Sequence, residues 1–493
     1  MRFRREFDMQ NETSKTKTPR KPKIYHSLIT FGILIVVMAV AIIVYGVDVH
    51  VPMFIGVIAA ACMALYLGYQ WDVIEKAMMD GVYNALQAII ILAIVGVLIG
   101  VWIVGGIVPS MIYYGLKLLS PSVFLVAALL ICSITSLATG TAWGTMGTMG
   151  LALIGIAVGL GIPAPMAAGA IISGAYFGDK MSPLSDTTNL APAMAGTDVF
   201  THVKFMILPT GIAYGLSIII FAVMGISYAS SGKAADMTSV QEMSDAHAAQ
   251  FNINPLLLLP PLIVIVAVAL KIPAIPGITL GIISGGIIGI LFQGDTSSFG
   301  NLLDAGMNGY ESSTGIDAVD ALLSSGGIMN MMSSIALTII AMMFGGIMEK
   351  TGQLEVIVHK ILGIAKKPAG LVVTTEATCI LSNMAMPEQY ISIVVPGRMY
   401  AQTYKNMGLH PKTLSNALES SGTVTSALVP WNTCGVFILA TLGVSTFDYM
   451  PYAIFNILMP IIVGVMAFMG LTIADKDGVR MTRKAQAKKK ENK

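Results

Sequence analysis

Residues 173–189 read S-G-A-Y-F-G-D-K-M-S-P-L-S-D-T-T-N, a polar segment between two long apolar runs. The segment carries Asp179, Lys180 and Asp186 together with five Ser or Thr hydroxyls, and Pro183 lies at its centre. An ionised carboxylate in the interior of a bilayer is unfavourable by roughly 2.5–3.5 kcal/mol on insertion scales. A cluster of this kind therefore indicates a binding site for a polar solute.

The composition places the segment in a membrane protein. The chain has 493 residues, of which 55% are hydrophobic and 11% are charged, whereas soluble domains carry about 25% charged residues. Apolar runs of about 20 residues fit a hydrocarbon core roughly 30 Å thick, and such runs follow one another along most of the chain. The sequence therefore predicts an all-α polytopic membrane protein in contact with the lipid bilayer.

Most of the basic residues lie near the two ends of the chain. Residues 1–23 and 475–493 are rich in Lys and Arg, and Arg398 is the only arginine between Arg20 and Arg480. The four cysteines fall within apolar runs, which favours buried thiols over disulfides, and no Cys or His cluster indicates zinc. We expect two basic tails, no nucleic-acid partner and no cofactor.

Two pairs of short apolar runs predict re-entrant hairpins. The pairs are 121–138 with 145–161, joined by residues 139–150, and 368–381 with 389–400, joined by residues 382–388. Irregular backbone is tolerated at membrane depth only where protein or water surrounds it. We therefore expect both hairpin tips to lie against other helices or a water-filled cavity.

An internal repeat relates the two halves of the chain. Adding 247 to a residue number maps Gly161 onto Gly408 and Pro183 onto Pro430 without a gap over some 60 positions. The polar interruptions align as well, since S-P-L-S-D-T falls on V-P-W-N-T-C. Upstream, Gly105-Gly106 resembles Gly345-Gly346 at a different offset. Paired interrupted helices of this kind are typical of the midplane binding site of a secondary transporter.

Loop charge predicts that the two repeats have inverted topology. Each half is expected to contain about five crossings, one re-entrant hairpin and one Pro-broken helix, and an odd number of crossings turns the second half upside down. The predicted divisions are a basic cytoplasmic tail (1–23), a first membrane repeat (24–228), an extracytoplasmic linker (229–252), a second repeat (253–474) and a basic cytoplasmic tail (475–493). The acid-rich residues 294–330 fit an outer loop under the positive-inside rule. The acidic loop 70–80, which this topology places inside, does not fit.

The first half supplies the predicted ion site. Pro183 should break the helix between Asp179 and Asp186, which frees backbone carbonyls, and hard cations prefer oxygen ligands. A buried carboxylate can hold a proton or a cation in alternation, which is the chemistry of cation/proton exchange. We predict Na⁺ binding at Asp186 and Asp179. The neighbouring oxygen ligands predicted from the sequence are Ser182, Ser185, Thr187, Thr188 and Asn189. The competing interpretation is that Asp179 and Lys180 form an exposed helix end at the cytoplasmic face.

The second half keeps the hydroxyls but lacks aspartate at the matching positions. A second carboxylate is expected among Glu376, Glu388 and Glu419, unless it pairs with a basic residue near the inner face. The further second-half residues predicted to bind the ion are Thr423, Thr425, Asn432 and Thr433. The threonines of residues 139–150 fit close helix packing at least as well as coordination.

Four segments carry a resemblance to a known family. They are T-G-T-A-W-G-T-M-G-T-M-G (139–150), A-G-A-I-I-S-G-A-Y-F-G-D-K-M-S-P-L-S-D-T-T-N (168–189), F-G-G-I-M-E-K-T-G (344–352) and S-S-G-T-V-T-S-A-L-V-P-W-N-T-C-G (420–435). Together they resemble the NhaC family of Na⁺/H⁺ antiporters, over roughly residues 25–470. The resemblance implies exchange of Na⁺ for H⁺ across the cytoplasmic membrane of a bacterium or archaeon, in a homodimer with a scaffold and a mobile transport domain.

Two alternatives to plain Na⁺/H⁺ exchange remain. The family includes MleN-type members that exchange malate with protons for lactate with Na⁺, so a hydroxy acid could be a further substrate. Such a substrate needs donors for its carboxylate, and Lys180 is one candidate. The other predicted carboxylate contacts are Thr141, Thr145, Ser382, Asn383 and Arg398. Y-F-G-D also resembles intramembrane aspartyl proteases, but no convincing second aspartate and no H-E-x-x-H or G-x-S-x-G motif accompanies it.

Overall fold

The computed structural model describes residues 19–232, 235, 237–313, 320 and 323–482. The outer parts of both basic tails, 1–18 and 483–493, lie outside the described residues, as do residues 233, 234 and 236 of the linker. The described chain consists of helices and loops, with two isolated β-bridges near the C-terminal end and no strand.

The first half contains eleven described helices. In chain order they are α1 (Ile24–Ala39, continued by a π-turn over Val40–Val44), α2 (His50–Tyr66), α3 (Trp71–Asn84), α4 (Leu86–Val104), α5 (Ile107–Leu118), α6 (Pro121–Thr139), α7 (Ala142–Thr145), α8 (Leu151–Gly159), α9 (Ala164–Met181), α10 (Asp186–Ala195) and α11 (Val199–Ser230). A π-turn over Met146–Gly150 joins α7 to α8.

The linker and the second half contain twelve described helices. They are α12 (Met237–Gln250), α13 (Leu259–Ala269, preceded by a 3₁₀ turn over Pro255–Leu258), α14 (Ala274–Gln293), α15 (Phe299–Asn308), α16 (Ile328–Lys350), α17 (Gln353–Leu362), α18 (Pro368–Ala385), α19 (Ile391–Asn406), α20 (Pro411–Leu418), α21 (Thr433–Leu442), α22 (Thr446–Tyr449) and α23 (Ile454–Phe468). A π-turn over Glu419–Thr423 and a 3₁₀ turn over Ser426–Leu428 extend α20.

The described helices confirm a multi-pass membrane protein. Seven of them are long and apolar enough to cross a membrane, and up to ten do so if each of three bent helix pairs counts as one span. Many of their apolar side chains point outwards, such as Ile43 (81% exposed) and Leu291 (72% exposed). This outward apolar surface is what a helix bundle presents to lipid, where the backbone must satisfy its own hydrogen bonds.

The predicted interruption at Pro183 is confirmed. Helix α9 ends at Met181 and α10 begins at Asp186. In the second half, residues 411–428 and 433–442 form two helical pieces bent by 48° relative to each other. Proline has no amide hydrogen and its ring clashes with the preceding turn, so both helices stop where the sequence places Pro183 and Pro430.

The two predicted hairpins are present as helix pairs, but their bounds differ from the prediction. The first turns at Gly140, and its legs, α6 and the continuous helix over residues 142–159, contain 19 and 18 residues. Both legs are therefore long and apolar enough to cross a membrane, whereas the sequence predicted short runs. In the second hairpin α18 runs on to Ala385, so the tip is residues 386–390 rather than 382–388.

The helix bounds follow the sequence repeat closely. Shifting α9 by 247 gives 411–428, and shifting α10 gives 433–442, which are the bounds of the second broken helix. Shifting α6 gives 368–386, against 368–385 for α18. The upstream pairing of Gly106 with Gly346 was wrong. Gly106 has φ +73° and precedes α5, and its conformational match is Gly352, which has φ +70° and precedes α17.

The acidic segment 70–80, predicted as a loop, lies in helix α3. Close backbone contact holds α3 against α16, because a Cβ added at Gly81 would lie 2.2 Å from the carbonyl oxygen of Met342.

Glycines also set the packing that positions the polar segment. A Cβ added at Gly174 would lie 2.3 Å from the carbonyl oxygen of Leu129, and one at Gly178 would lie 2.5 Å from that of Ser133. Small residues at such positions let helix backbones approach closely in a membrane. Helix α9 therefore lies directly on α6, and Asp179 at its end lies beside the first hairpin.

Candidate ion-binding site

The break between α9 and α10 is held by its own side chains. Ser185 caps α10, and its Oγ accepts from the amide of Thr188 at 3.4 Å. The hydroxyl of Thr188 donates to the carbonyl oxygens of Asp179 and Lys180, at 3.1 and 3.0 Å. Asn189 Nδ2 donates to the carbonyl of Ser185 at 2.7 Å. The two Thr188 bonds serve carbonyl groups in the last turn of α9, where the helical hydrogen-bond pattern ends.

A cavity of about 610 Å³ lies at this break, and both hairpin tips line it. The broken helix contributes Asp179 and Asp186, and the second tip contributes Glu388. Asp179 and Glu388 are buried, whereas Asp186, the first residue of α10, is exposed. The positive end of the α10 dipole favours a negative charge at Asp186. Three carboxylates from two distant parts of the chain therefore converge on one cavity.

Hydroxyl groups accompany these carboxylates. Ser185 Oγ lies 3.1 Å from Thr187 Oγ1, which donates to Glu419 Oε1 at 3.3 Å. Thr139, at the tip of the first hairpin, lines the cavity, and its buried hydroxyl has no hydrogen-bond partner among the described residues. An oxygen that is buried and unpartnered is available to a cation or a water molecule.

The arrangement suits a weakly held hard cation. Within the described residues no group of three or more His, Cys, Asp or Glu side chains is placed to hold a metal ion. A transported Na⁺ would instead combine one or two carboxylates with hydroxyl and carbonyl oxygens, which are the ligands that hard cations prefer. A transporter needs such a site, because a bound ion has to leave again.

Lys180 is fully buried, so the interpretation of Asp179 and Lys180 as an exposed helix end was wrong. Asp179 is 6% exposed and Lys180 is 0% exposed. The Lys180 ammonium donates to Ser420 Oγ at 2.9 Å, in the π-turn that matches the first-half segment. Lys180 therefore joins the two halves, and it does not line the cavity as the sequence suggested for a substrate contact.

The second-half polar residues form a buried network of their own. Asn383 Nδ2 donates to the carbonyl of Gly422 at 2.8 Å and to Thr425 Oγ1 at 3.1 Å. Asn432 Nδ2 donates to Asn383 Oδ1 at 3.2 Å. This network fastens the second hairpin to the second broken helix, so its hydrogen bonds are already used within the protein.

The structure divides the predicted site residues into two groups. Those that line the cavity are Asp179, Ser185, Asp186, Thr187, Asn189, Glu388 and Thr141. Those that lie outside its lining are Ser182, Thr188, Thr145, Ser382, Asn383, Arg398, Thr423, Thr425, Asn432 and Thr433. Arg398 is exposed on α19. Ser182 donates to the carbonyl of Leu137 and Thr145 to that of Thr141, so both support the backbone.

Sequence reasoning missed several residues of the cavity. Tyr390 follows Glu388 on the second tip, and its hydroxyl lies 3.4 Å from Asp186 Oδ2. Trp143 stacks on Phe437 with ring centroids 4.3 Å apart, which brings the first hairpin against the second broken helix. Lys271 lies just after α13, far from every motif. Only the position of Tyr390, two residues after the acidic Glu388, could have drawn attention in the sequence.

Comparison with known proteins decides the class of protein. The model of the Na⁺/H⁺ antiporter family matches residues 174–471, which include both helix breaks and the second hairpin. The chain belongs to the Na⁺/H⁺ antiporter family. It is 38% identical over 436 residues to the malate-2H⁺/Na⁺-lactate antiporter of Bacillus subtilis, covering 88% of this chain and 92% of that protein.

Two further relatives show the breadth of the family. The Na⁺/H⁺ antiporter NhaC of Alkalihalophilus pseudofirmus is 34% identical over 466 residues, covering 94% of this chain and 99% of that protein. The arginine/ornithine antiporter ArcD of Halobacterium salinarum is 36% identical over 460 residues, covering 93% of this chain and 94% of that protein. All three carry the names of transporters, so the antiporter is a secondary active transporter, and the protease alternative is set aside.

Proposed function

We propose that this protein exchanges Na⁺ for H⁺, with Asp186 as the carboxylate that binds the two ions in alternation and Asp179 beside it. The observation that carries the proposal is the convergence of Asp179, Asp186 and Glu388 on one cavity. The ionised carboxylates attract Na⁺, and protonation removes that attraction. Each ion therefore expels the other from a shared site, which couples their movements.

The first helix break and the tip of the first hairpin supply the remaining ligands in this proposal. Ser185, Thr187 and Thr139 present hydroxyl oxygens near the carboxylates. Ser182, Thr188 and Asn189 hold the broken backbone in place through the hydrogen bonds described above. The part of the second-half residues in ion binding is indirect, because they lie against the second hairpin and outside the cavity lining. They are Thr423, Thr425, Asn432 and Thr433.

The proposed architecture is two inverted repeats, 24–228 and 253–474, with the linker 229–252 outside and both termini in the cytoplasm. The 247-residue offset between helix bounds supports the repeat. With this topology the beginning of α4 and the end of α13 both lie at the cytoplasmic face. Asn84, Gln87 and Lys271 come from these two places and line the cavity, which supports a cavity that faces the cytoplasm.

The family resemblance extends the proposal to cell location and assembly. We place the protein in the cytoplasmic membrane of a bacterium or archaeon, as a homodimer in which hairpins and broken helices form the moving part. Residues 475–482 are assigned to the C-terminal tail, although Arg480 within them donates to the carbonyl oxygen of Phe205 in α11.

A second candidate function is Na⁺-coupled exchange of an organic acid. The cavity of about 610 Å³ favours it, because pockets for small organic molecules measure about 300–1,000 Å³ and a water molecule takes about 30 Å³. The name of the malate-2H⁺/Na⁺-lactate antiporter points the same way. Malate or lactate would then enter the cavity that binds Na⁺ and H⁺.

Transport by the purified protein in proteoliposomes tests the proposal. An imposed Na⁺ gradient should change the internal pH, measured with a trapped pH-sensitive dye. Exchange in the absence of any organic acid supports Na⁺/H⁺ antiport, whereas strict dependence on malate or lactate selects the second function. No Na⁺-coupled pH change under either condition would overturn both.

A further inference from the structure

The same turn occurs twice in this protein with one substitution. Residues 160–164 read L-G-I-P-A and residues 270–274 read L-K-I-P-A. In the first turn the amide of Gly161 donates to the carbonyl of Val158 at 2.9 Å, and in the second the amide of Lys271 donates to that of Val268 at 2.8 Å. The amide of the isoleucine that follows donates to a carbonyl five residues earlier in both turns. Ile162 donates to Ala157 at 2.8 Å, and Ile272 donates to Ala267 at 3.0 Å. Both are Schellman helix ends.

Lysine is an unfavourable residue at this position. Gly161 has φ +71° and Lys271 has φ +64°, and Lys271 is the only non-glycine residue with positive φ among the described residues. A side chain in this left-handed region costs roughly 1–2 kcal/mol, a penalty that glycine avoids. The fold alone would therefore prefer glycine at residue 271, as it has at 161.

The location of Lys271 differs from that of Gly161 in one relevant respect. Lys271 lines the cavity that contains Asp179, Asp186 and Glu388, and among the described residues of that lining it is the only Lys, Arg or His. Gly161 lies elsewhere, where its carbonyl accepts from Tyr228. Two histidine–carboxylate contacts within 4.0 Å occur in the described part of the chain, and Lys271 is in neither. Its ammonium is therefore available to a solute.

Electrostatics indicate which solute gains from this ammonium. Three carboxylates attract a small cation but repel an organic anion of the size that the cavity accepts. One ammonium does not help Na⁺, yet it can donate charge-assisted hydrogen bonds to a carboxylate.

We propose that Lys271 binds the carboxylate of a small organic acid that enters this cavity. The inference goes beyond Na⁺/H⁺ exchange, and it rests on the proposed function only in taking this cavity as the transport path. Lysine at the strained turn thus adds an anion-binding group to a site that is otherwise suited to cations.

Lys271→Gly is the central variant, because it restores the residue that the matching turn carries. We expect its melting temperature in detergent to equal or exceed that of the wild type, since the backbone strain is relieved. Lys271→Asn is a second uncharged variant that tolerates the left-handed conformation, and Lys271→Arg keeps the charge. All four proteins are reconstituted in phosphatidylcholine vesicles and in vesicles that also contain phosphatidylglycerol.

Two measurements are made on each preparation. The first is the Na⁺-driven pH change without organic acid, which reports Na⁺/H⁺ exchange alone. The second is uptake of radiolabelled L-malate, L-lactate or L-arginine at several concentrations. For at least one acid we expect the half-saturation concentration to rise about ten- to a hundredfold in Lys271→Gly and Lys271→Asn, as for the loss of a charged hydrogen bond. Lys271→Arg should stay within a few-fold of the wild type.

Three outcomes would overturn this role of Lys271. The first is that the wild type takes up no carboxylate, and the second is that Lys271→Gly leaves the half-saturation concentration unchanged. The third is that the variants differ from the wild type only in phosphatidylglycerol vesicles, which would show that Lys271 binds lipid headgroups. If no pH change occurs without organic acid, plain Na⁺/H⁺ exchange is contradicted. The uptake measurements still test the role of Lys271 in that case.

Discussion

The hydroxyl of Tyr390 lies 3.4 Å from Oδ2 of Asp186, so the tip of the second hairpin reaches the broken helix of the first half. The two residues are 204 positions apart in the chain. Asp186 starts α10, and Tyr390 precedes α19. Any movement of this hairpin relative to the broken helix changes the environment of the carboxylate that we propose to bind Na⁺.

Tyr390→Phe should weaken Na⁺ binding without abolishing exchange. The hydrogen bond is long, and a bond of this kind contributes about 0.5–1.5 kcal/mol, so we expect the Na⁺ concentration for half-maximal exchange to change about two- to tenfold. Tyr83→Phe is the matched control, because Tyr83 is 74% exposed on α3 and does not line the cavity. Equal behaviour of the two variants would remove Tyr390 from the site.

Asp186→Asn should abolish Na⁺-coupled proton movement while the protein still folds. Asparagine keeps the shape of the side chain but neither carries the charge nor takes up the proton. Asp198→Asn provides the control, since Asp198 is an exposed helix cap, bonded to the amide of Thr201 at 2.9 Å, and asparagine caps equally well. Wild-type exchange by Asp186→Asn would place the exchanging carboxylate elsewhere, with Glu388 the next to test.

Gly140→Ala should impair transport more than it impairs stability. A Cβ at residue 140 would lie 2.8 Å from the carbonyl carbon of Leu184, so the first tip would be pushed away from the helix break. Gly196→Ala has a similar positive φ but meets nothing within 4 Å, and it isolates the left-handed backbone penalty of roughly 1–2 kcal/mol. We expect at least a tenfold lower exchange rate for Gly140→Ala than for Gly196→Ala. Similar rates would show that the contact is dispensable.

Stability should fall at acid pH because of His247 in the linker helix α12. Burial lowers the pKa of His247 to about 4 from the ordinary value of 6.5, and neither ring nitrogen has a hydrogen-bond partner among the described residues. The unfolded chain thus takes up the proton at higher pH than the folded one. The stabilisation is present above pH 6.5 and is lost as the pH falls towards 4, by up to about 3 kcal/mol.

Melting temperatures in detergent at pH 7.5 and pH 5 would measure this effect. His247→Leu should make the melting temperature less dependent on pH. His359→Leu, at an exposed histidine that lies 3.4 Å from Glu355 on α17, should keep the wild-type dependence. If His247→Leu also keeps it, the acid sensitivity has another origin.

Local chemistry explains what the sequence predicted correctly. The break at Pro183, the break at Pro430 and the equal spacing of helix bounds in the two halves depend on residues close together in the chain. The hairpin bounds were less accurate, because α18 continues to Ala385 through residues whose polarity suggested a turn. Its buried Asn383 is instead satisfied by the second broken helix, a partner that the local sequence does not contain.

The sequence by itself determined the class of protein, its apolar helices, the interrupted helices and the polar segment around Asp179 and Asp186. Only the tertiary structure decided which polar side chains share the cavity. It placed Glu388, Tyr390 and Lys271 there and directed Asn383 and Asn432 into a network of their own. Helix breaks follow from the backbone properties of a few neighbouring residues. The contacts of a side chain depend instead on how helices hundreds of residues apart in the chain pack against one another.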